Sequence, residues 1–224
     1  MIKRWAGIVL LSLFVQWGWS QGDFVQVKQQ QLYIKGKPCY FMGANYWYGS
    51  LLGMDASNQF NRRRLLKELD FLKKKGVTNL RVMAAVEGTG YVNGVIRVSP
   101  ALQKSPGVFD DSLLRGLDFL LSEMGKREMK AVLFLSNNWE WTGGFLQYVN
   151  WFGGVSDSMV QRKLDWEEVR DVTARFYNCE PCKEAYLKQV EHIITRTNSV
   201  TGKKYTDDPV IMAWQLANEP RPMR

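Results

Sequence analysis

Asp207-Asp208-Pro209-Val210-Ile211-Met212-Ala213-Trp214-Gln215-Leu216-Ala217-Asn218-Glu219-Pro220 is the stretch that decides the fold. An Asp-Asp-Pro turn leads into a strand, Val210 to Ala217, that is apolar on both faces and ends at a carboxylate held between an amide side chain and a stiff proline. Strands of that kind belong to parallel sheets covered by helices. Ala131 to Leu135 is a second unbroken apolar strand, and Val77 to Met83 is a third. Helices precede each of them. Arg62 to Lys75 sets Leu65, Leu69 and Leu72 on one face and stops at Gly76. A second helix starts near Asp110 or Asp111 as N-cap and buries Leu113, Leu117, Leu120 and Met124. A third carries Tyr186, Val190 and Ile193 or Ile194. At the other end, Phe24 to Lys28 and Gln31 to Ile34 alternate polar with apolar residues. They read as a short hairpin that turns at Lys35-Gly36-Lys37 and leads into the first main strand at Tyr40 and Phe41.

Four main strands therefore alternate with three helices, which makes this an α/β protein. No glycine-rich phosphate loop joins a strand to its helix, so a nucleotide-binding fold loses its main support. The residues of chemical interest fall at the C-terminal ends of strands: Asn45 and Trp47, Arg81, Asn137 to Trp141, and Asn218-Glu219. That is where a (β/α)₈ TIM barrel places its chemistry. The expected fold is that barrel with only the first four β/α units present in this chain, since eight strands typically take about 250 residues.

With 46% hydrophobic and 23% charged residues among 224, the chain can bury a sizeable core and is too ordinary in composition for disorder. Lys3 and Arg4 precede an apolar run from Trp5 to Val15, and Gly18 and Ser20 are small residues where a signal peptidase reads. Residues 1–20 are expected to be a signal peptide and residues 21–224 the mature chain, secreted or periplasmic and free of the membrane after cleavage. Removing Lys3 and Arg4 takes the formal net charge from +8 to +6. The basic runs Arg62-Arg63-Arg64 and Lys73-Lys74-Lys75 sit in helix-like stretches and read as solvated faces, with no nucleic-acid module beside them. Of three cysteines, Cys179 and Cys182 flank a turn-forming Pro181; a local disulfide is expected, ahead of two free thiols or a redox pair. Cys39 is expected to be a buried free thiol in a strand. One CxxC and one histidine are too few for a zinc site, and no cofactor is called for.

His192 is the single histidine and lies in a helix pattern, so carboxylates must do any acid/base work. Glu219, at the end of a buried strand, is the leading candidate. Glu87 and Glu140 also follow strands and are weaker ones. From Trp139 to Phe152 six aromatic residues crowd together, either as the loop's own small core or as rings that stack on sugar C–H faces.

Several blocks together resemble glycoside hydrolase family 5, and its β-mannanase branch in particular. They are Phe41-Met42-Gly43-Ala44-Asn45-Tyr46-Trp47, Asn79-Leu80-Arg81-Val82, Ser136-Asn137-Asn138-Trp139 with Gly143-Gly144 and Gln147-Tyr148-Val149, and Ala213 through Pro220. The resemblance implies an endo-acting retaining hydrolase of β-1,4-mannosidic bonds in mannan, galactomannan or glucomannan. It makes residues 21–224 the N-terminal part of the catalytic domain. Glu219 would be the acid/base, Asn218 would bond the sugar 2-hydroxyl, and Arg81 would hold the nucleophile carboxylate in its charged form. Trp47, Asn138 and Trp139 would complete the substrate contacts. A retaining glycosidase needs two carboxyl groups about 5 to 5.5 Å apart, and the family takes the second from its seventh strand, which is expected beyond Arg224. The alternatives are a β-1,4-glucanase of the same family and a non-catalytic sugar-binding remnant.

Overall fold

The computed structural model describes residues 23–54 and 59–221. The expected signal peptide lies outside them. Two units can be told apart, one ending at Cys39 and one running from Tyr40 onward. The first is a small antiparallel meander of β1 (Gln26–Lys28), β2 (Gln31–Ile34) and β3 (Lys37–Pro38). The expected hairpin is therefore present. Cys39 departs from expectation: it is free and only half-buried, in the segment just after β3 rather than inside a strand. Its backbone N–H donates to Leu32 O, and Pro38 has no N–H with which to extend the ladder.

The second unit is built on β4 (Met42–Asn45), followed by α1 (Gly49–Gly53), α2 (Gln59–Lys74) and β5 (Val77–Met83). Two short hairpins come next, β6 (Tyr91–Val92) with β7 (Val95–Ile96) and β8 (Gln103–Ser105) with β9 (Val108–Phe109). Then follow α3 (Ser112–Lys126), β10 (Lys130–Phe134), α4 (Gly144–Phe152), α5 (Asp157–Gln161), α6 (Trp166–Ala174), α7 (Glu180–Ile194) and β11 (Ile211–Gln215). Strands β4, β5, β10 and β11 form one parallel sheet in sequence order. The central pair is buried on both sides, whereas the edge strands are not. Among the described residues the sheet is open: Met42 on one edge strand and Leu216 just past the other are 60% and 67% exposed.

The main core fills the space between sheet and helices. Leu65 and Leu69 of α2 and Leu113, Leu117, Leu120 and Met124 of α3 are completely buried, as their helical spacing predicts. Burial of a leucine side chain contributes roughly 1.5–3 kcal/mol, so these two stripes fix the helices to the sheet. Helices α1 and α3 touch backbone to backbone: a Cβ on Gly116 would stand 2.1 Å from Ser50 O, and one on Gly53 would stand 2.2 Å from Gly116 O.

Asp111 occupies the N-cap position of α3 but makes no capping bond. Asp110 does that work, its Oδ1 accepting from the Ser112 N–H and hydroxyl. Asp111 instead binds His192 Nε2 and Arg196 Nη1, each at 2.7 Å, which gives the single histidine a structural partner. Below it, the fully buried Asp118 accepts from Arg196, the Ser199 N–H and hydroxyl, and Tyr205 Oη.

A second core supports the loop after β11. Phe145 and Tyr148 of α4 pack with Phe176, Cys182 and Tyr186, and the rings of Phe145 and Phe176 stack at 4.0 Å. The aromatic-rich stretch is therefore largely a helix that turns two of its rings inward. Cys179 and Cys182 form a disulfide at the start of α7. Tyr186 Oη donates to Leu216 O at 2.6 Å, fastening α7 to the segment that carries Asn218 and Glu219.

Candidate active site

In parallel strands of matched register the C-terminal ends lie side by side. Asn45 pairs with Arg81, Arg81 with Val132, and Phe134 with Gln215. Past the last rungs, Asn137 and Asn218 form a further bridge. This edge opens into a cleft of about 400 Å³ lined by Asn45, Trp47, Arg81, Phe134, Trp139, Trp141, Asn218 and Glu219. The sheet thus gathers five of the six anticipated residues, Trp47, Arg81, Trp139, Asn218 and Glu219, from four separate segments.

Arg81 organises the floor. Its Nε donates to Gln215 Oε1 and its Nη2 to Asn218 Oδ1, both at 2.7 Å, while Phe134 lies beneath the guanidinium at 4.6 Å. Burial pulls the Arg81 guanidinium down from its ordinary value and the charge of Glu219 opposes this; an arginine stays charged under either influence. Asn218 is held from two sides, since its Nδ2 donates to Asn137 Oδ1 at 2.9 Å. Its backbone N–H donates to Ser136 O, and the Asn138 N–H returns a bond to Asn218 O.

Glu219 is exposed on the cleft and has φ 48°, a left-handed conformation that non-glycine residues seldom adopt. Trp139 Nε1 donates to its Oε2 at 2.7 Å. Trp47 meets Trp141 edge-on at 5.2 Å, so two packed indoles form part of the cleft wall. Such rings suit the apolar faces of pyranose sugars, while Arg81, Asn218 and Glu219 supply polar groups for hydroxyls.

Asn138 is placed elsewhere. It lines a separate narrow slot with Trp139, Trp166, Tyr177 and Arg221. Its neighbour Asn137 is the one that reaches the site, its Oδ1 accepting from both Trp139 N and Asn218 Nδ2. No signal in the sequence separates the two; the register does, since residue 137 stands opposite residue 218 across the parallel pair. Asn45 and Trp141, expected at strand ends but given no role there, also line the cleft, as does Phe134, which the sequence did not point to.

The weaker carboxylates lie outside the cleft. Glu87 is completely buried, accepting from Gln189 Nε2 at 2.6 Å and from Gly144 N and Ser136 Oγ at 3.0 Å. Burial pushes its carboxyl up to about 7 in spite of these donors. The Gly143-Gly144 pair makes room for it: Gly143 has φ 93°, and a Cβ there would stand 1.9 Å from Glu87 O. Glu140 accepts from Asn93 Nδ2 at 2.7 Å. Among the described residues no group of His, Cys, Asp and Glu could hold a metal ion, and no helix is long and apolar enough to cross a membrane.

A family model described as glycoside hydrolase family 5 β-mannosidase-like matches residues 22–224. The chain belongs to this family. A glycoside hydrolase family 5 mannosidase from Rhizomucor miehei superposes with TM-score 0.81 at 35% identity, covering 90% of this chain and 50% of that one. The endo-1,4-β-mannanase of the same fungus gives 0.67 at 28%, covering 88% and 49%. Mannan endo-1,4-β-mannosidase 1 of rice is 33% identical over 89% of this chain and 41% of its own length. Its tomato counterpart is 32% identical over 96% and 48%. This family 5 chain thus spans about half the length of the relatives it matches, and its four-stranded parallel sheet corresponds to part of the barrel of these hydrolases.

Proposed function

We propose that this family 5 chain supplies the acid/base half of a retaining hydrolase that cuts internal β-1,4-mannosidic bonds in mannan, galactomannan or glucomannan. The observation that carries the reading is Glu219, presented to a tryptophan-walled cleft beside the hydrogen-bonded Arg81–Asn218 pair. In this reading Glu219 protonates the leaving glycosidic oxygen and later takes a proton from water. Asn218 bonds the 2-hydroxyl of the sugar at the cleaved bond, Trp47 and Trp139 stack on rings, and Asn138 serves the neighbouring slot. The second carboxyl group is not among the described residues of the cleft, and Arg81 is the group that would hold it ionised. The four parallel strands are then the first four of eight, and the exposed edges at Met42 and Leu216 are where the remaining strands would pair. Residues 1–20 direct export and are removed, so the protein acts outside the cell.

The test is to incubate the full-length protein with galactomannan and with carboxymethylcellulose and to follow product anomers by NMR. Internal cleavage of galactomannan with retained β-configuration is expected; preference for the cellulose derivative defeats the mannan assignment. Residues 21–224 alone are expected to leave mannan uncut, because protonation without a nucleophile forms no glycosyl-enzyme. A second reading, release of single mannose units from short β-mannosides, is favoured by the higher structural likeness to the fungal mannosidase than to the mannanase. Mannose as the first product from mannotetraose would decide for it.

A further inference from the structure

Two residues set the place of Glu219, and both are tied to one atom. Trp139 Nε1 donates to Glu219 Oε2 at 2.7 Å, and Asn218, the preceding residue, fixes the backbone from which the carboxyl projects. The Trp139 backbone N–H and Asn218 Nδ2 both donate to Asn137 Oδ1, at 3.0 and 2.9 Å. Asn137 is completely buried, so this oxygen is shielded from water. Its Nδ2 is also buried and has no hydrogen-bond partner among the described residues. A buried orphan donor destabilises a fold, and native structures keep few of them. An apolar side chain at 137 would remove that defect and would lose both bonds. The φ of 48° at Glu219 needs such outside constraint, because an unrestrained glutamate would leave the left-handed region.

We propose that Asn137 is a positioning residue for acid catalysis, acting through Trp139 and Asn218 to set which carboxyl oxygen of Glu219 delivers the proton. The inference rests on Glu219 being the acid/base. With the indole N–H on Oε2, Oε1 is the oxygen that carries the proton. As the glycosidic C–O bond breaks, its electron pair stays on the leaving oxygen and the proton passes there from Oε1. The anomeric carbon is taken by the nucleophile carboxylate that the retaining reading requires. Negative charge left on Glu219 is met by the Trp139 N–H, a donor already in place.

The experiment compares two substrates that differ in their need for a proton: mannotetraose, with a sugar alkoxide as leaving group, and 2,4-dinitrophenyl β-mannobioside, whose leaving group departs without one. Asn137→Ala and Trp139→Phe are measured in the full-length protein, with Glu219→Ala alongside. Each of the first two is expected to lower kcat on mannotetraose by about 10- to 100-fold, within the range of general acid catalysis. On the dinitrophenyl substrate the expected loss in the first, glycosylation step is below about 3-fold. Trp139→Phe puts a smaller aromatic ring in place of the indole and deletes its N–H, so it tests the Trp139–Glu219 link, and Asn137→Ser, a polar truncation of the same side chain, replaces Asn137→Ala if that variant does not fold. Equal losses on both substrates, a change confined to KM, or no loss on mannotetraose overturns the proposal. Full activity of Glu219→Ala on mannotetraose overturns the acid/base reading itself, a result distinguishable from the failure of Asn137 alone.

Discussion

Glu87 should make this protein lose stability as pH rises through the weakly acidic range, the reverse of the usual carboxylate behaviour. Burial raises its carboxyl from 4.5 to about 7 in the folded chain. Below 4.5 both folded and unfolded chains hold the proton, so Glu87 contributes no pH dependence there. Between 4.5 and 7 the folded chain keeps a proton that the unfolded chain has released, and stability falls with each step in pH. At about 1.4 kcal/mol per pH unit, the window from 4.5 to about 7 amounts to a loss of about 3 kcal/mol, complete above the folded value. The charged groups around it do not titrate in this window. Arg97, whose Nη1 donates to Glu87 O, stays cationic, and Tyr148 and Tyr186 are held up by burial and stay neutral. Glu87→Gln removes the titration. The amide oxygen can take the place of Oε1, which accepts from Ser136 and Gln189, but the NH₂ then meets the Gly144 N–H. One unmatched donor pair costs about 1–3 kcal/mol. Urea unfolding at intervals from pH 4.5 to 8 would read both quantities. The glutamine variant should be the less stable at pH 4.5, and the two curves should meet or cross by pH 8. Parallel curves, or a wild type that gains on the variant as pH rises, would refute the reasoning.

Glu219→Gln should cost about 10²- to 10⁴-fold in kcat on mannan while sugar binding, followed by quenching of tryptophan fluorescence, stays largely intact. Asp118→Ala leaves Arg196 without its buried partner and orphans Tyr205 Oη, and should destabilise by about 3–5 kcal/mol in denaturant titrations. The same carboxylate is held below its ordinary value: desolvation opposes this, but the hydrogen bonds from Arg196, Ser199 and Tyr205 outweigh it. Its stabilising contribution is therefore full above the unfolded value of 3.8 and lost as pH falls below it, a lower window than that of Glu87 and of opposite sign. Gly116→Ala drives a methyl into Ser50 O, 2.1 Å away, and should cost about 1–3 kcal/mol in unfolding free energy by separating α1 from α3.

The residues that local chemistry controls were legible without coordinates. Leu65, Leu69 and the α3 leucines are spaced at the period of a helix, so their burial follows from the pattern. The disulfide joins residues only three apart, and short separation leaves few alternatives. Glu219 stood out because a helix followed by an apolar run reads as a parallel strand, and such strands present chemistry at their C-terminal ends, although β11 lies at the sheet edge and is mostly half-buried. The choice between neighbours was not legible. Asn137 and Asn138 have identical side chains in the same turn, and only the register of β10 on β11 sets residue 137 against Asn218. Asp110 rather than Asp111 caps α3 because Arg196 and His192, some eighty residues away, claim the latter. Phe145 and Tyr148 turn inward because Phe176 and Tyr186 await them, whereas Trp139 and Trp141 stay on the cleft. The sequence by itself determined the three long helices, the four parallel strands and the strand-end carboxylate, since periodicity and turn chemistry act over a few residues, whereas the short elements α1, α4, α5, α6 and β6 to β9 carry too little pattern to be read. Tertiary structure decided which oxygen meets which donor, because a hydrogen bond depends on tenths of an ångström between segments that only packing brings together.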